Sequence, residues 1–149
     1  MSVSKLLARL GDASRSGVYR VAQADEILDA ARGSELDLAR IDLTGASDKE
    51  QLLVQIARAL SFPQWFGRNW DALEDCLGDL AWRAGDGHVL IIEGFEDMRA
   101  RQPDDFGVLL DILASCAQYW HERGRPFIVA FVDRAGGLAL PDLFRARSA

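Results

Sequence analysis

A chain of 149 residues with 49% hydrophobic content is the size of one globular domain and can bury a core of its own. Its formal net charge of -6 disfavours a protein whose main partner is a phosphate polymer or an anionic membrane, and suits one whose partner is basic. Fifteen arginines against only Lys5 and Lys49 leave little for lysine nucleophile or Schiff-base chemistry.

Residues 1–16 read as a short helical lead that runs out in Asp12-Ala13-Ser14-Arg15-Ser16-Gly17, a turn composition, and is loosely held. Lys5 is followed only by Leu6, Leu7 and Ala8 before Arg9 interrupts, so no signal peptide is expected there. No later apolar run reaches transmembrane length, and the expected location is cytoplasmic. Residues 17–21 alternate like a short strand. Residues 24–32 place Ile27, Leu28 and Ala31 at helical spacing and stop at Gly33. A second strand spans 36–43, with Leu36, Leu38, Ile41 and Leu43 as its apolar positions. Ser47 with Glu50 forms a capping box for a helix whose buried stripe is Leu52, Leu53, Ile56, Ala59 and Leu60, ended by Pro63.

After the segment FPQWFGRNWDALEDCLGDL, residues 62–80, the turn Gly85-Asp86-Gly87 leads into His88-Val89-Leu90-Ile91-Ile92. That run reads as a strand covered on both faces, the candidate for the sheet centre. Pro103 precedes a long helix over 104–123, with Val108, Leu109, Ile112, Leu113 and Cys116 inward and Gly124 as its stop. Residues 127–132 close the sheet, and the tail from Asp133 is polar and frayed. Strands alternating with helices predict an α/β fold: a mainly parallel sheet of three to four strands with helices packed on its faces. Cys76 and Cys116, forty residues apart with no CxxC or Cys/His cluster, read as reduced, partly buried thiols rather than a disulfide or zinc site.

The informative stretch is the helix that Asn69 caps, running from Trp70 to about Leu80. At a hundred degrees per residue Trp70, Leu73, Leu77 and Leu80 share an inward arc, and Asp71, Glu74, Asp75 and Asp79 share the opposite one with Gly78. Asp71, Asp75 and Asp79 stand one turn apart, where like charges cost about 0.2–0.5 kcal/mol per pair. A solvated face and the helix dipole explain Asp71, but the dipole benefit fades beyond the first turn. Gly78 costs about 1 kcal/mol in a helix interior, a cost that close approach by a partner would explain. Before the helix, Trp65 and Phe66 lie between Pro63 and Gly67 in a segment too short to bury both rings. One ring is expected to plug the core and the other to be exposed. An exposed ring beside spaced carboxylates has the parts of a nucleic acid, a stacking face and phosphate-like charges, and reads as a decoy for a basic nucleic-acid-processing site.

The run from Pro63 through Leu77, an aromatic pair followed by Gly-x-Asn-x-Asp-Ala-Leu-x-Asp-Cys-Leu, resembles the signature of the barstar family, the intracellular inhibitors of barnase-type ribonucleases. The order of elements over about 36–132 matches that family, which implies a single barstar-like three-layer domain over 1–149. Within it, residues 1–35 are an extension with an extra strand and helix, 36–133 the core, and 134–149 a polar tail. The resemblance implies that Asp75 enters the nuclease site in place of a substrate phosphate and that Asp71 pairs with a basic side chain on a nuclease loop. It also implies that Trp65 packs against the active-site histidine while Asn69 and Gly78 add polar or backbone contacts. The partner-binding set is then Trp65, Phe66, Gly67, Asn69, Asp71, Glu74, Asp75, Gly78 and Asp79, with no catalytic residue, metal or cofactor. The implied partner is a secreted or toxic barnase-like ribonuclease met by a monomer in a 1:1 complex, with no direct nucleic-acid or membrane contact. Three positions depart from the family pattern: Glu74 stands where it has a tryptophan, Leu80 where it has an aromatic, and Tyr119 where it has an acidic contact.

Two other functions fit the same residues. An adaptor could bind a basic partner that is not a nuclease through the same face. A small magnesium-dependent α/β enzyme could use Asp42, Glu93 and Asp133, which fall near predicted strand ends, although no P-loop or GxGxxG is present. His88 opens a strand and His121 ends a helix, so neither sits in a triad arrangement, and His121 reads as a solvated surface histidine.

Overall fold

The computed structural model describes residues 2–63 and 67–145. Its sheet is built where β-branched and aromatic residues concentrate: β3 (His88–Glu93) is buried at every position except Glu93, and β4 (Phe127–Val132) at every position. Such strands need cover on both faces and take the two central places. The order is β1-β4-β3-β2, all parallel, with β1 (Gly17–Val21) and β2 (Asp37–Asp42) at the edges. β3 is central, as its composition predicts. β4 does not close the sheet, because β1 from the N-terminal segment pairs along its outer side.

The two-residue period of the strands divides the core. Val89, Ile91, Ile128 and Ala130 face α1 (Val3–Leu10) and α2 (Asp25–Ala31). Leu90, Ile92, Val129 and Phe131 face the other layer, made by α3 (Lys49–Ala59), α4 (Trp70–Asp79), α5 (Glu96–Arg101) and α6 (Pro103–Glu122). The result is the three-layer α/β arrangement expected from alternating elements.

Four local expectations are corrected. The lead is not loosely held: Ser2 caps α1 by accepting from the Lys5 N–H, and Leu6 and Leu10 are buried. An amphipathic helix beside an otherwise open sheet face buries its stripe however short it is. The segment from Asp133 to Arg145 is not frayed, and residues 146–149 of the tail lie outside the described residues. Asp133 is itself buried, its carboxylate accepts from the Gly136 and Leu138 N–H groups, and Leu143 lies in the core while its N–H bonds the Arg20 carbonyl. The outer edge of β1 has backbone groups to satisfy, and the tail satisfies them. The cap of α3 is Asp48, not Ser47: its Oδ1 accepts from the Gln51 N–H at 2.8 Å, and the Gln51 side chain reaches back to Ser47. A carboxylate suits the positive helix end better than a hydroxyl. Finally, α5 was not expected. Its six residues carry one buried apolar side chain, Met98, too few for a periodic signal.

Gly94, which follows β3, has φ +69°, and a Cβ added there would run into Thr44 Oγ1 and lie 2.7 Å from Thr44 N and 2.8 Å from Asp42 Oδ1. Gly94→Ala is expected to destabilise the protein by about 1–3 kcal/mol, read as a lower urea midpoint. An unchanged midpoint would mean that this crossing of two loops yields freely.

Candidate functional site: the acidic face of α4

The local sequence builds α4 from both ends. Arg68 turns the chain with φ +53°, and Asn69 follows in extended conformation with its Oδ1 accepting from the Ala72 N–H at 2.8 Å. At the far end Leu80 adopts the left-handed conformation, φ +51°, and its N–H bonds the Cys76 carbonyl. The next terminal carbonyl, Leu77, accepts from the buried Trp120 Nε1–H of α6 at 2.9 Å. One orphan acceptor of the helix end is thereby satisfied by a neighbouring helix, which fixes the separation of α4 and α6.

The inward stripe of α4 is Leu73, Cys76, Leu77 and Leu80, all buried, with Trp70 packed at its margin. Asp71, Glu74, Asp75 and Asp79 are exposed, as the helical spacing predicts. Among the described residues none of the four joins a salt bridge. Asp79 is partly engaged, since its Oδ1 accepts from the Ala81 N–H at 3.3 Å. Gly67 and Asn69 are exposed at the helix entrance. Trp65 and Phe66 lie outside the described residues.

A groove of about 280 Å³ runs between α4 and α6, lined by Glu74, Asp75, Gly78, Ser115, Cys116 and Tyr119. Tyr119 is one of two large apolar side chains exposed among the described residues, and the Arg123 guanidinium sits 3.5 Å from its ring centroid. Sequence spacing on α4 alone does not reveal this wall. Its signal is the i, i+4 pair Ser115 and Tyr119 beside the buried Cys116 and Trp120. Both cysteines are free and buried. Burial, with a smaller effect of Glu74, pushes the Cys116 thiol up to about 12, and burial followed by Asp75 and Asp79 raises Cys76. Neither thiol is a nucleophile: Cys116 is an inert atom of the groove wall, and Cys76 lies on the inward face of α4.

The strand-end carboxylates are spent internally. Glu93 Oε1 accepts from Arg40 Nε at 3.0 Å and Nη2 at 2.5 Å, Asp42 Oδ1 accepts from the Thr44 N–H, and Asp133 holds the following loop. Among the described residues no group of three or more His, Cys, Asp or Glu converges as a metal site. His121 is exposed, with Nδ1 2.9 Å from the Ala13 carbonyl. His88 is buried, with Nδ1 2.8 Å from Asp37 Oδ2, while Arg83 bonds both Asp37 oxygens at 2.7 and 2.9 Å. That network, with His88 buried and Asp37 and Arg83 partly buried, was not visible in the sequence.

A family model described as Barstar (barnase inhibitor) matches residues 36–132, which include α4, α6 and three of the four strands. The chain belongs to the barstar family. The match leaves out α1, β1, α2 and the tail, so this barstar-family chain carries a folded N-terminal addition. No curated protein is similar enough in sequence to count as a match. Among solved structures, the ORC2 protein of Aeropyrum pernix, solved in ADPNP–ADP complexes, is similar with a TM-score of 0.52 at 18% identity. The overlap covers 87% of this chain and 37% of that one, and the likeness is one of fold. Among the described residues no helix is long and apolar enough to cross a membrane.

Proposed function

We propose that this barstar-family protein is an intracellular inhibitor of a barnase-type ribonuclease, and that it acts by covering the enzyme's cationic active site with the outer face of α4. The observation that carries this reading is the row of exposed carboxylates on α4, free of salt bridges among the described residues, on a helix whose inner face and ends are held by the core. A preorganised anionic face substitutes for RNA phosphates without loss of conformational freedom on binding. Asp75 and Asp71 meet the cations of the cleft, Glu74 and Asp79 flank them, and Gly67, Asn69 and the Trp65-Phe66 pair complete the contact. The protein itself contributes no chemistry. Protection of the producing cell from a toxic nuclease is the purpose this implies.

The deciding experiment titrates the protein into a fluorogenic RNA-cleavage assay with a panel of barnase-type ribonucleases at low and high salt. Stoichiometric inhibition, with association slowed by salt, is expected. Failure against the whole panel, combined with capture of a basic partner lacking nuclease activity, would replace the inhibitor with an adaptor.

Gly78 supplies a separate test. A Cβ added there would meet only Tyr119 Cε2 at 3.9 Å, an ordinary contact, so the fold does not require glycine at this position. Gly78→Ala is expected to stabilise the free protein by about 0.5–1 kcal/mol through helix propensity while weakening inhibition, because the methyl group stands on the contact face. Thermal unfolding and inhibition titration should therefore move in opposite directions. Equal or tighter inhibition would place the nuclease elsewhere.

A further inference from the structure

The acidic protein has basic terminal segments. Residues 1–20 carry Lys5, Arg9, Arg15 and Arg20 against Asp12, and residues 134–149 carry three arginines against Asp142. These terminal segments hold a net +5, and residues 21–133 hold -11. Their described parts touch: Arg9 Nη1 donates to the Leu143 carbonyl at 2.6 Å, and the Arg20 backbone bonds Pro141 and Leu143. Both lie outside the stretch that matches the family.

The cations are also gathered locally. A groove of about 300 Å³ is lined by Lys5, Ala8, Arg9, Asp12 and Arg15. Lys5 and Arg9 stand one helical turn apart on α1 and form no salt bridge among the described residues. Asp12 is the one carboxylate of the lining; its Oδ1 accepts from the Ser14 N–H at 3.0 Å and the Ser14 Oγ–H at 2.7 Å, and its charge offsets part of that of the neighbouring Arg15. One guanidinium N–H of Arg9 is used by Leu143, which orients the side chain and leaves further donors. Cations brought together against their mutual repulsion, with one of them positioned by a backbone carbonyl, make an anion site.

We infer that this groove binds a phosphate group carried by a small molecule, with Lys5, Arg9 and Arg15 as its donors. The volume stands at the small end of ligand sites, and a chain of phosphodiesters leaving the groove would meet the strongly negative remainder of the protein. Lys5, Arg9 and Arg15 less Asp12 give the lining a net +2, and a phosphomonoester dianion matches that charge without extending over the negative surface. The site is independent of the nuclease-binding face and stands or falls without it.

The test is a ¹⁵N NMR titration at constant ionic strength with inorganic phosphate, a 5′-mononucleotide, a short oligoribonucleotide, and chloride as the control. Saturable shifts confined to residues 5–15 and neighbours of Leu143, seen with phosphate and the mononucleotide but not chloride, are expected. Lys5→Glu should weaken the binding at least about tenfold, and Arg15→Gln should weaken it in the same direction. Asp75→Ala should leave it unchanged. Shifts that fail to saturate, or that chloride reproduces, would overturn the site. Tighter binding of the oligoribonucleotide than of the mononucleotide would overturn the small-molecule assignment in favour of an RNA strand.

Discussion

Asp75→Ala is expected to weaken inhibition by about 2–5 kcal/mol, roughly thirtyfold to several thousandfold, a range calibrated in part on the barnase–barstar pair itself and applied here by family. Asp75 stands at the middle of the exposed row, one turn from both Asp71 and Asp79, and lines the groove shared with Tyr119. A charge at the centre of a contact is desolvated when the partner docks, and its removal leaves the cations opposite it unpaired. Asp79 differs in both respects. It lies in the last position of α4 and already accepts from the Ala81 N–H, so Asp79→Ala is expected to cost much less. The free protein should not suffer from losing Asp75. Two like-charge neighbours are relieved, each worth about 0.2–0.5 kcal/mol, and alanine is the better helix former. A variant that melts no lower yet inhibits far more weakly isolates the contact from the fold. Equal losses for Asp75→Ala and Asp79→Ala would reduce the mechanism to diffuse attraction between a negative face and a positive cleft.

The site was legible in the sequence to the extent that it is local. The cap at Asn69, the inward stripe and the outward carboxylates all follow from helical period over ten residues, and period survives folding unchanged. The opposing wall is not local. Ser115, Cys116 and Tyr119 reach the groove because Trp120 bonds Leu77 across 43 positions of chain, a contact that no window of sequence contains. The same distinction separates the fold elements that were read well from those that were not. β3 and β4 announce themselves by continuous apolar runs, whereas α1 and the tail are weak in composition and acquire their order from Leu10 and Leu143 entering a shared core. At α3, two capping patterns overlap, Ser47 with Glu50 and Asp48 with Gln51. The choice between them depended on which side chain best meets a helix dipole.

Asp37→Ala is expected to destabilise the protein by about 3–5 kcal/mol. Asp37 and His88 are register partners at the start of β2 and β3, and Arg83 joins them from the turn that follows α4. The Asp37 and Arg83 side chains are 11% and 17% exposed, so removing the carboxylate strands a nearly buried guanidinium as well as the imidazole. Burial pulls the Asp37 carboxyl up, but the hydrogen bonds from Arg83 and His88 outweigh it and hold the group below its ordinary range. For His88 burial dominates and lowers the value despite the bond to Asp37. The consistent state is a charged Asp37 paired with Arg83 and accepting the Nδ1–H of a neutral imidazole.

Both groups therefore bind fewer protons folded than unfolded over the range where they titrate, and both contributions are complete above the unfolded values. Stability should fall as pH drops below about 6.5, first through His88, and again below about 3.8 through Asp37. Urea midpoints measured from pH 8 to pH 4 should show the first decline in the wild type. His88→Asn, which keeps a donor for Asp37 and removes the titration, should flatten it. An undiminished slope in that variant would assign the acid sensitivity to other groups. Asp37→Ala should be weaker throughout that range, because it lacks the acceptor at every pH. Since Arg83 lies three residues beyond Leu80 and its N–H bonds the Leu80 carbonyl, this network also anchors the exit of the acidic helix. At temperatures where the Asp37→Ala protein remains folded, inhibition should still be stoichiometric. A loss of inhibition there would show that Arg83 holds the orientation of α4 as well as the stability of the sheet.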